Sequence, residues 1–298
     1  MNDYLALRLE SSRTIELILP MSNELPRFDA VPDIRLIACD MDGTLLDNAD
    51  RIHDDFWPLI ETLHARGILF CPASGRQYYS LLERFSAIAD ELVFIAENGT
   101  YVVHRGEELF SEPLDRTEAR NLVEIGRHLK QREPGVNMVL CGKHSAYIET
   151  DAPDFHAEVA KYYHRLKMVP DLQRVEDDIL KLAVFAHNAS ERLTFPAFSH
   201  CVHTHQVAVS GAHWLDLMVP QANKGSGIRH IQEKFSISRE QTMAFGDFLN
   251  DLEMMNEAAY SFAMANAHPK LKAAARFQAP GNDDNGVVRT IRSVLGLI

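Results

Sequence analysis

A chain of 298 residues is long enough for one large or two ordinary domains, and 46% hydrophobic beside 24% charged residues is the make-up of a globular enzyme. Lysines and arginines number 30 against 42 aspartates and glutamates, a formal charge of −12 that argues against a nucleic acid or an anionic membrane held by bulk charge. No apolar run approaches the ~18 residues of a membrane span, so no membrane partner is expected.

Residues 1–29 stand apart as an N-terminal extension. Arg8, Glu10, Arg13 and Glu16 break any apolar core there, so the segment does not read as a secretory signal. Thr14–Pro20 reads as a short added strand or as upstream sequence, with Met21 an alternative start. The first strong signal is Leu36-Ile37-Ala38-Cys39, a continuous apolar run of the kind buried on both faces in a parallel sheet. It runs into Asp40-Met41-Asp42-Gly43-Thr44, at the carboxyl end where an open α/β sheet places its chemistry. In extended backbone, Asp40 and Asp42 share one side, and two close carboxylates need a cation or a shared proton.

Phe56, Ile60 and Leu63 then mark one helical face, with Asp54 or Asp55 as the cap and Gly67 as the stop. A second strand, Ile68–Ala73, delivers Ser74-Gly75-Arg76, and a third, Leu92–Ala96, delivers Glu97-Asn98-Gly99. Alternating strand and helix predicts an α/β fold with a doubly wound parallel sheet. From Pro113 the style changes. A helix at Ala119–Leu129 and short strands at 136–141, 145–149, 180–187, 202–209 and 214–219, with a helix at Phe155–Leu166, predict an α+β module with a largely antiparallel sheet. The α/β pattern resumes with Asn223-Lys224-Gly225 and a helix to Phe235. A strand at Thr242–Phe245 follows, ending in Gly246-Asp247-Phe248-Leu249-Asn250-Asp251. A helix through Met254 and Met255, a strand at Ser261–Met264 and a helix at Gly286–Leu295 complete the chain. The expected division is therefore 30–113 and 220–298 for the core, with 114–219 inserted into it.

Asp40, Asp42, Asp247 and Asp251 would gather at one sheet edge, and hard oxygen ligands of this kind suit Mg²⁺. Ser74 offers a hydroxyl, Gly75 lets the backbone come close, and Lys224 gives a compact positive charge at a helix start. Together they make a phosphate site. A carboxylate aimed at phosphorus can form an aspartyl-phosphate, and one two residues on can protonate the leaving oxygen and then deprotonate water. Each cluster alone reads more plainly, as a solvated acidic pair, a turn, a helix cap or a surface lysine. Their shared position after strands or at helix starts favours a single site. Other groups take the plain reading throughout. His200, His203 and His205 read as a partly exposed strand rather than a zinc site. Glu176-Asp177-Asp178 reads as a solvated acidic turn, and Met254-Met255 as core packing. Cys39 and Cys71 read as buried thiols in a reducing compartment, the cytoplasm.

These motifs together resemble the haloacid dehalogenase superfamily, and within it the Cof-type phosphatases with a large α/β cap, the IIB group. Asp40-Met41-Asp42-Gly43-Thr44-Leu45 is similar to the first family motif, Ser74-Gly75-Arg76 to the second, Asn223-Lys224-Gly225 to the third, and Gly246–Met254 to the fourth. The resemblance covers roughly 33–298. It implies Asp40 as nucleophile and metal ligand, and Asp42 as general acid/base with its carbonyl on Mg²⁺. It implies Ser74 and Lys224 on the phosphate, Asp247 as the outer carboxylate ligand, and Asn250 and Asp251 in support. Arg76, Asn98 and Asn223 would line the boundary between phosphate and leaving group, and 114–219 would be a mobile cap. The expected activity is hydrolysis of small phosphorylated metabolites such as sugar phosphates. A phosphomutase and a non-catalytic sugar-phosphate sensor are the alternatives, and oligomeric state is left open.

Overall fold

The computed structural model describes residues 25–297 apart from Arg27 and Asp151, so the expected strand at Thr14–Pro20 and nearly all of the extension lie outside the described residues. The chain opens with β1 (Leu36–Cys39), then α1 (Phe56–Ala65), β2 (Leu69–Pro72), α2 (Tyr78–Arg84), β3 (Val93–Ala96) and a meander of β4 (Tyr101–His104) and β5 (Glu107–Ser111). The middle forms α3 (Arg116–Arg132), β6 (Asn137–Gly142), β7 (Ala146–Ile148), α4 (Pro153–Val159), β8 (Leu166–Met168), β9 (Ile179–Phe185), α5 (Phe195–Phe198), β10 (Gln206–Val209) and β11 (Trp214–Met218). The last third is α6 (Lys224–Phe235), β12 (Thr242–Gly246), α7 (Leu252–Glu257), β13 (Tyr260–Met264), α8 (Pro269–Ala274), β14 (Phe277–Ala279) and α9 (Gly286–Val294).

Five of these strands form a parallel sheet in the order β14-β13-β12-β1-β2. Parallel bridges Phe70–Leu92 and Ala73–Ile95 set β3 beside β2. Chain order runs outward from β1 on one side and from β12 on the other, so the crevice at their carboxyl ends is the switch point of the sheet. Asp40 leaves β1 there and Asp247 leaves β12. Every side chain of β1, β3 and β12 is buried, which is why these runs are continuously apolar or small. Helix α1 buries Phe56, Leu59, Ile60 and Leu63 against this sheet, and Gly67 at φ +68° ends it. The expected aspartate cap is not made. Asp55 precedes the helix, but its own N–H donates to His53 Nδ1.

The central segment builds a second sheet in the order β10-β11-β9-β6-β7-β8, antiparallel at every pair but β7–β8. Its two faces alternate by residue. Met138, Leu140, Leu182, Val184, Leu215 and Leu217 pack toward α3, while Val139, Cys141, Ala183 and Trp214 pack with Phe155 and Val159 of α4. Three expectations here are corrected. Helix α4 stops at Val159, and Leu166–Met168 is the edge strand β8, drawn into extended backbone by pairing with β7. Residues 202–205 finish a 3-10 helix, Ser199–His203, and the turn after it rather than a strand, because the Cys201 carbonyl accepts the N–H groups of both Thr204 and His205. His203 and His205 therefore do not share a strand face. Asp177 is not solvated: its side chain is 1% exposed and accepts from His144 N, Tyr147 Oη and Asp178 N. Met254 and Met255 are core residues, and all four cysteines are free and buried. The β4–β5 hairpin was not anticipated. Its signal is Arg105-Gly106, both at positive φ, which is the backbone of a tight hairpin turn. No helix of the described residues is long and apolar enough to cross a membrane.

Candidate active site

The site is assembled at the switch point from segments far apart in the chain. The Asp40 N–H donates to Phe245 O of β12 at 3.0 Å, which aligns the two strand ends. The chain then turns at once through Met41–Leu45, with Gly43 at φ +75°. Asn266 Nδ2 donates to the Gly43 carbonyl at 2.7 Å, and Asn282 Nδ2 to Leu46 O at 3.0 Å, pinning that turn. A Cβ at Gly43 would collide with the Asp247 carboxylate, so only glycine fits.

Lys224 is the first residue of α6. A capping box fixes it: Ser226 N donates to Asn223 Oδ1 at 2.8 Å and Asn223 N to Ser226 Oγ at 3.1 Å. Its ammonium is fully buried, donating to Asp40 Oδ1 at 2.5 Å and Asp251 Oδ1 at 2.7 Å. The other Asp251 oxygen accepts the N–H groups of Asp247 (3.0 Å) and Phe248 (3.2 Å). Thr44 Oγ1 lies 3.4 Å from Asp247 Oδ1. Carboxylate oxygens of Asp40, Asp247 and Asp251 fall within 4.8 Å of one another. Three acids face one ammonium. Burial, then repulsion from Asp251, pushes Asp40 up to about 7; burial, then Asp40 and Asp251, pushes Asp247 up to about 9. Burial works against the charge of Lys224, but Asp251 and Asp40 outweigh it and raise its pKa. A buried oxygen-only cluster short of positive charge fits a hard divalent cation.

Asp42 is not in that cluster. Its carboxylate is half-exposed and held by Arg76, with Nε to Oδ2 at 2.9 Å and Nη2 to Oδ1 at 2.5 Å. Arg76 is buried and also donates to Asp50 Oδ1 (3.0 Å) and to Lys161 O (2.8 Å). Ser74 is buried beside it, and its Oγ accepts Arg76 N at 3.1 Å. Asp40, Asp42, Ser74, Gly75, Arg76, Asp247 and Asn250 line a cavity of about 60 Å³, roofed by Tyr162, Tyr163, Lys181, Ser210, Trp214 and Asp216 of the second module. Two of the expected lining residues stand behind the wall of this cavity rather than in it. Asn223 is consumed in capping α6, with Nδ2 on Gln221 O. Asn98 is a bridge: its Oδ1 accepts from Asn250, and its Nδ2 donates to Ser210 and Asp216. Lys181 and Asp216 were missed, although each is a lone charge inside an apolar strand run.

Fold and site define a class, a doubly wound α/β protein with a buried acidic centre at the sheet switch point. The chain belongs to the haloacid dehalogenase-like hydrolases, whose profile matches residues 37–291, and it is a phosphatase of that superfamily. It is 38% identical over 269 residues, 88% of this chain and 96% of the relative, to the Escherichia coli (strain K12) 5-amino-6-(5-phospho-D-ribitylamino)uracil phosphatase YbjI. Among solved structures it is similar to SMU.1108c from Streptococcus mutans UA159, with TM-score 0.81 and 26% identity over 88% of this chain and 99% of that one. The fold is shared as well with BT4131, described as a subclass IIB sugar phosphatase, at TM-score 0.75 and 22% identity over 89% of this chain and 100% of that one.

Proposed function

We propose that the chain hydrolyses small phosphorylated metabolites, sugar phosphates or related polyol phosphates, through an aspartyl-phosphate on Asp40 with Mg²⁺ as cofactor. The observation that carries this is the convergence of Asp40, Lys224, Asp247 and Asp251. A free Asp40 oxygen attacks phosphorus, an O–P bond forms, and the bond to the leaving oxygen breaks. Asp42 protonates that oxygen, then takes a proton from the water that cleaves the acyl phosphate. To do so its carboxyl must exchange Arg76 for the leaving group. Ser74 Oγ and the Lys224 ammonium hold the phosphate oxygens, and Asn250 supports the same side. Mg²⁺, held by the carboxylates of Asp40 and Asp247 and the Asp42 carbonyl with Asp251 in support, would offset the repulsion between nucleophile and phosphate.

We assign 114–219 as a cap over a core of 30–113 and 220–298. The cavity of about 60 Å³ has room for a phosphate, whereas a metabolite site needs ~300 Å³ or more, so the cap must lift for entry. The free, buried cysteines support a cytoplasmic setting. Phosphate release from a metabolite panel, with Mg²⁺ and with EDTA, tests the reading. The compound named for the 38% identical relative, whose ribityl chain is a polyol, belongs first in the panel. Release without any bisphosphate activator is expected and separates hydrolysis from mutase chemistry. D40N should be inactive yet folded, and D42N impaired in both steps. Turnover retained in D40N would reject the nucleophile.

A further inference from the structure

The cap sheet carries two charges where its pattern asks for apolar side chains. β9 reads Ile179-Leu180-Lys181-Leu182-Ala183-Val184-Phe185, and β11 reads Trp214-Leu215-Asp216-Leu217-Met218. Asp216 lies opposite Ala183, so Lys181 and Asp216 are diagonal neighbours on the face away from α3. Both are buried, at 1% and 2% exposure. The Lys181 ammonium donates to the Gly75 carbonyl at 2.5 Å and lies 3.1 Å from Glu97 Oε2 and 3.4 Å from Asp216 Oδ2. Gly75 and Glu97 belong to the core, Lys181 and Asp216 to the cap.

Glu97 makes sense only in this contact. It is buried on left-handed backbone at φ +50°, and neither carboxylate oxygen finds a hydrogen-bond donor with good geometry. Burial pushes its pKa up and Lys181 opposes the shift. A buried carboxylate without a partner is strongly destabilising, and among the described residues its only ion-pair partner comes from the cap. Water would take that role once the cap lifts, so the lysine contact is specific to the closed molecule. Its other contact, Gly75, sits between Ser74 and Arg76. That loop is laced to the Glu97 turn by Asn98 N to Ser74 O (2.9 Å) and Glu97 N to Arg76 O (3.1 Å).

We propose that Lys181 is a positioning residue that couples cap closure to the phosphate loop: it grips the Gly75 carbonyl, sets Ser74 and Arg76, and uses Glu97 and Asp216 as counter-charges. The inference rests on the phosphatase reading above. Its test uses the full chain in a W57F background, where Trp214, a buried cap residue that lines the cavity between cap and core, is the sole indole. Acrylamide quenching of Trp214 reports closure. Turnover of p-nitrophenyl phosphate, whose aryl leaving group carries no hydroxyl groups for the cap to recognise, reports the loop. K181M should raise quenching and lower kcat about 100-fold with KM little changed. K181M/E97Q, which leaves no unpaired carboxylate at residue 97, should restore parental quenching while kcat stays low, because nothing holds Gly75. K181R should recover part of kcat. Circular dichroism checks each fold, and the double variant carries the kcat test if K181M does not fold. Parental kcat and quenching in K181M would overturn the proposal. So would a change confined to KM, which would make Lys181 a leaving-group contact. A parent chain that releases no phosphate fails the functional reading instead, and quenching still reports closure.

Discussion

Replacing Asp247 by Asn should yield a protein that is more stable than the parent without metal and inactive with it. The Asp247 carboxyl is pushed up to about 9 by burial and by Asp40 and Asp251, so at neutral pH the metal-free folded protein holds a proton there that the unfolded chain has lost. The folded state binds more protons across the window from about 4 to about 9, so stability is full below the unfolded pKa and falls as pH rises through that window. Each pH unit costs about 1.4 kcal/mol per retained proton, so the penalty at pH 7 is of order 2–4 kcal/mol once partial solvent access is allowed for. An amide has no proton to retain. In EDTA at pH 7, D247N should therefore melt roughly 3–7 °C above the parent, and the gap should widen from pH 5.5 to 8.5. Mg²⁺ should raise the parent's melting temperature more at pH 8.5 than at 5.5, because the ion replaces protons, and should barely move that of D247N. Thermal melts at three pH values, with Mg²⁺ and with EDTA, read all of this. A variant less stable than the parent in EDTA at pH 8.5, or one retaining the full Mg²⁺ shift, would refute the reasoning.

Two other substitutions separate the site from the scaffold. G43A places a Cβ against the Asp247 carboxylate on left-handed backbone; it should cost about 1–2 kcal/mol of stability and most of the Mg²⁺-dependent turnover, read by melts and phosphate release. D177A strands the donors at His144 N, Tyr147 Oη and Asp178 N in the cap. It should cost roughly 3 kcal/mol, seen as a lower denaturation midpoint, with p-nitrophenyl phosphate turnover in the folded protein near the parent's.

Asp177 also shows where linear reading runs out. In sequence it sits among acids and looks solvated, and only the approach of His144 from the β6–β7 turn and Tyr147 from β7 buries it. Asn223 and Asn98 follow the same rule: the motif brought them to the site's edge, but a helix start and a cap strand claimed their side chains. The strand at 202–205 failed for a local reason, carbonyl capture at Cys201, that composition does not reveal.

The sequence by itself determined the parallel core, the inserted antiparallel module and the gathering of Asp40, Ser74, Lys224 and Asp247 at one edge. Apolar runs of four to six residues bounded by polar clusters are too short for buried helices and fit strands covered on both faces, and in a parallel sheet each run hands its polar cluster to the same end. What the tertiary structure alone decided is where those side chains turn: the Asp42 carboxylate to Arg76, the Lys224 ammonium between Asp40 and Asp251, the Lys181 ammonium to Gly75. The direction of a charged group follows from the nearest opposite charge, and in a folded chain that charge is set by distance through space rather than along the backbone.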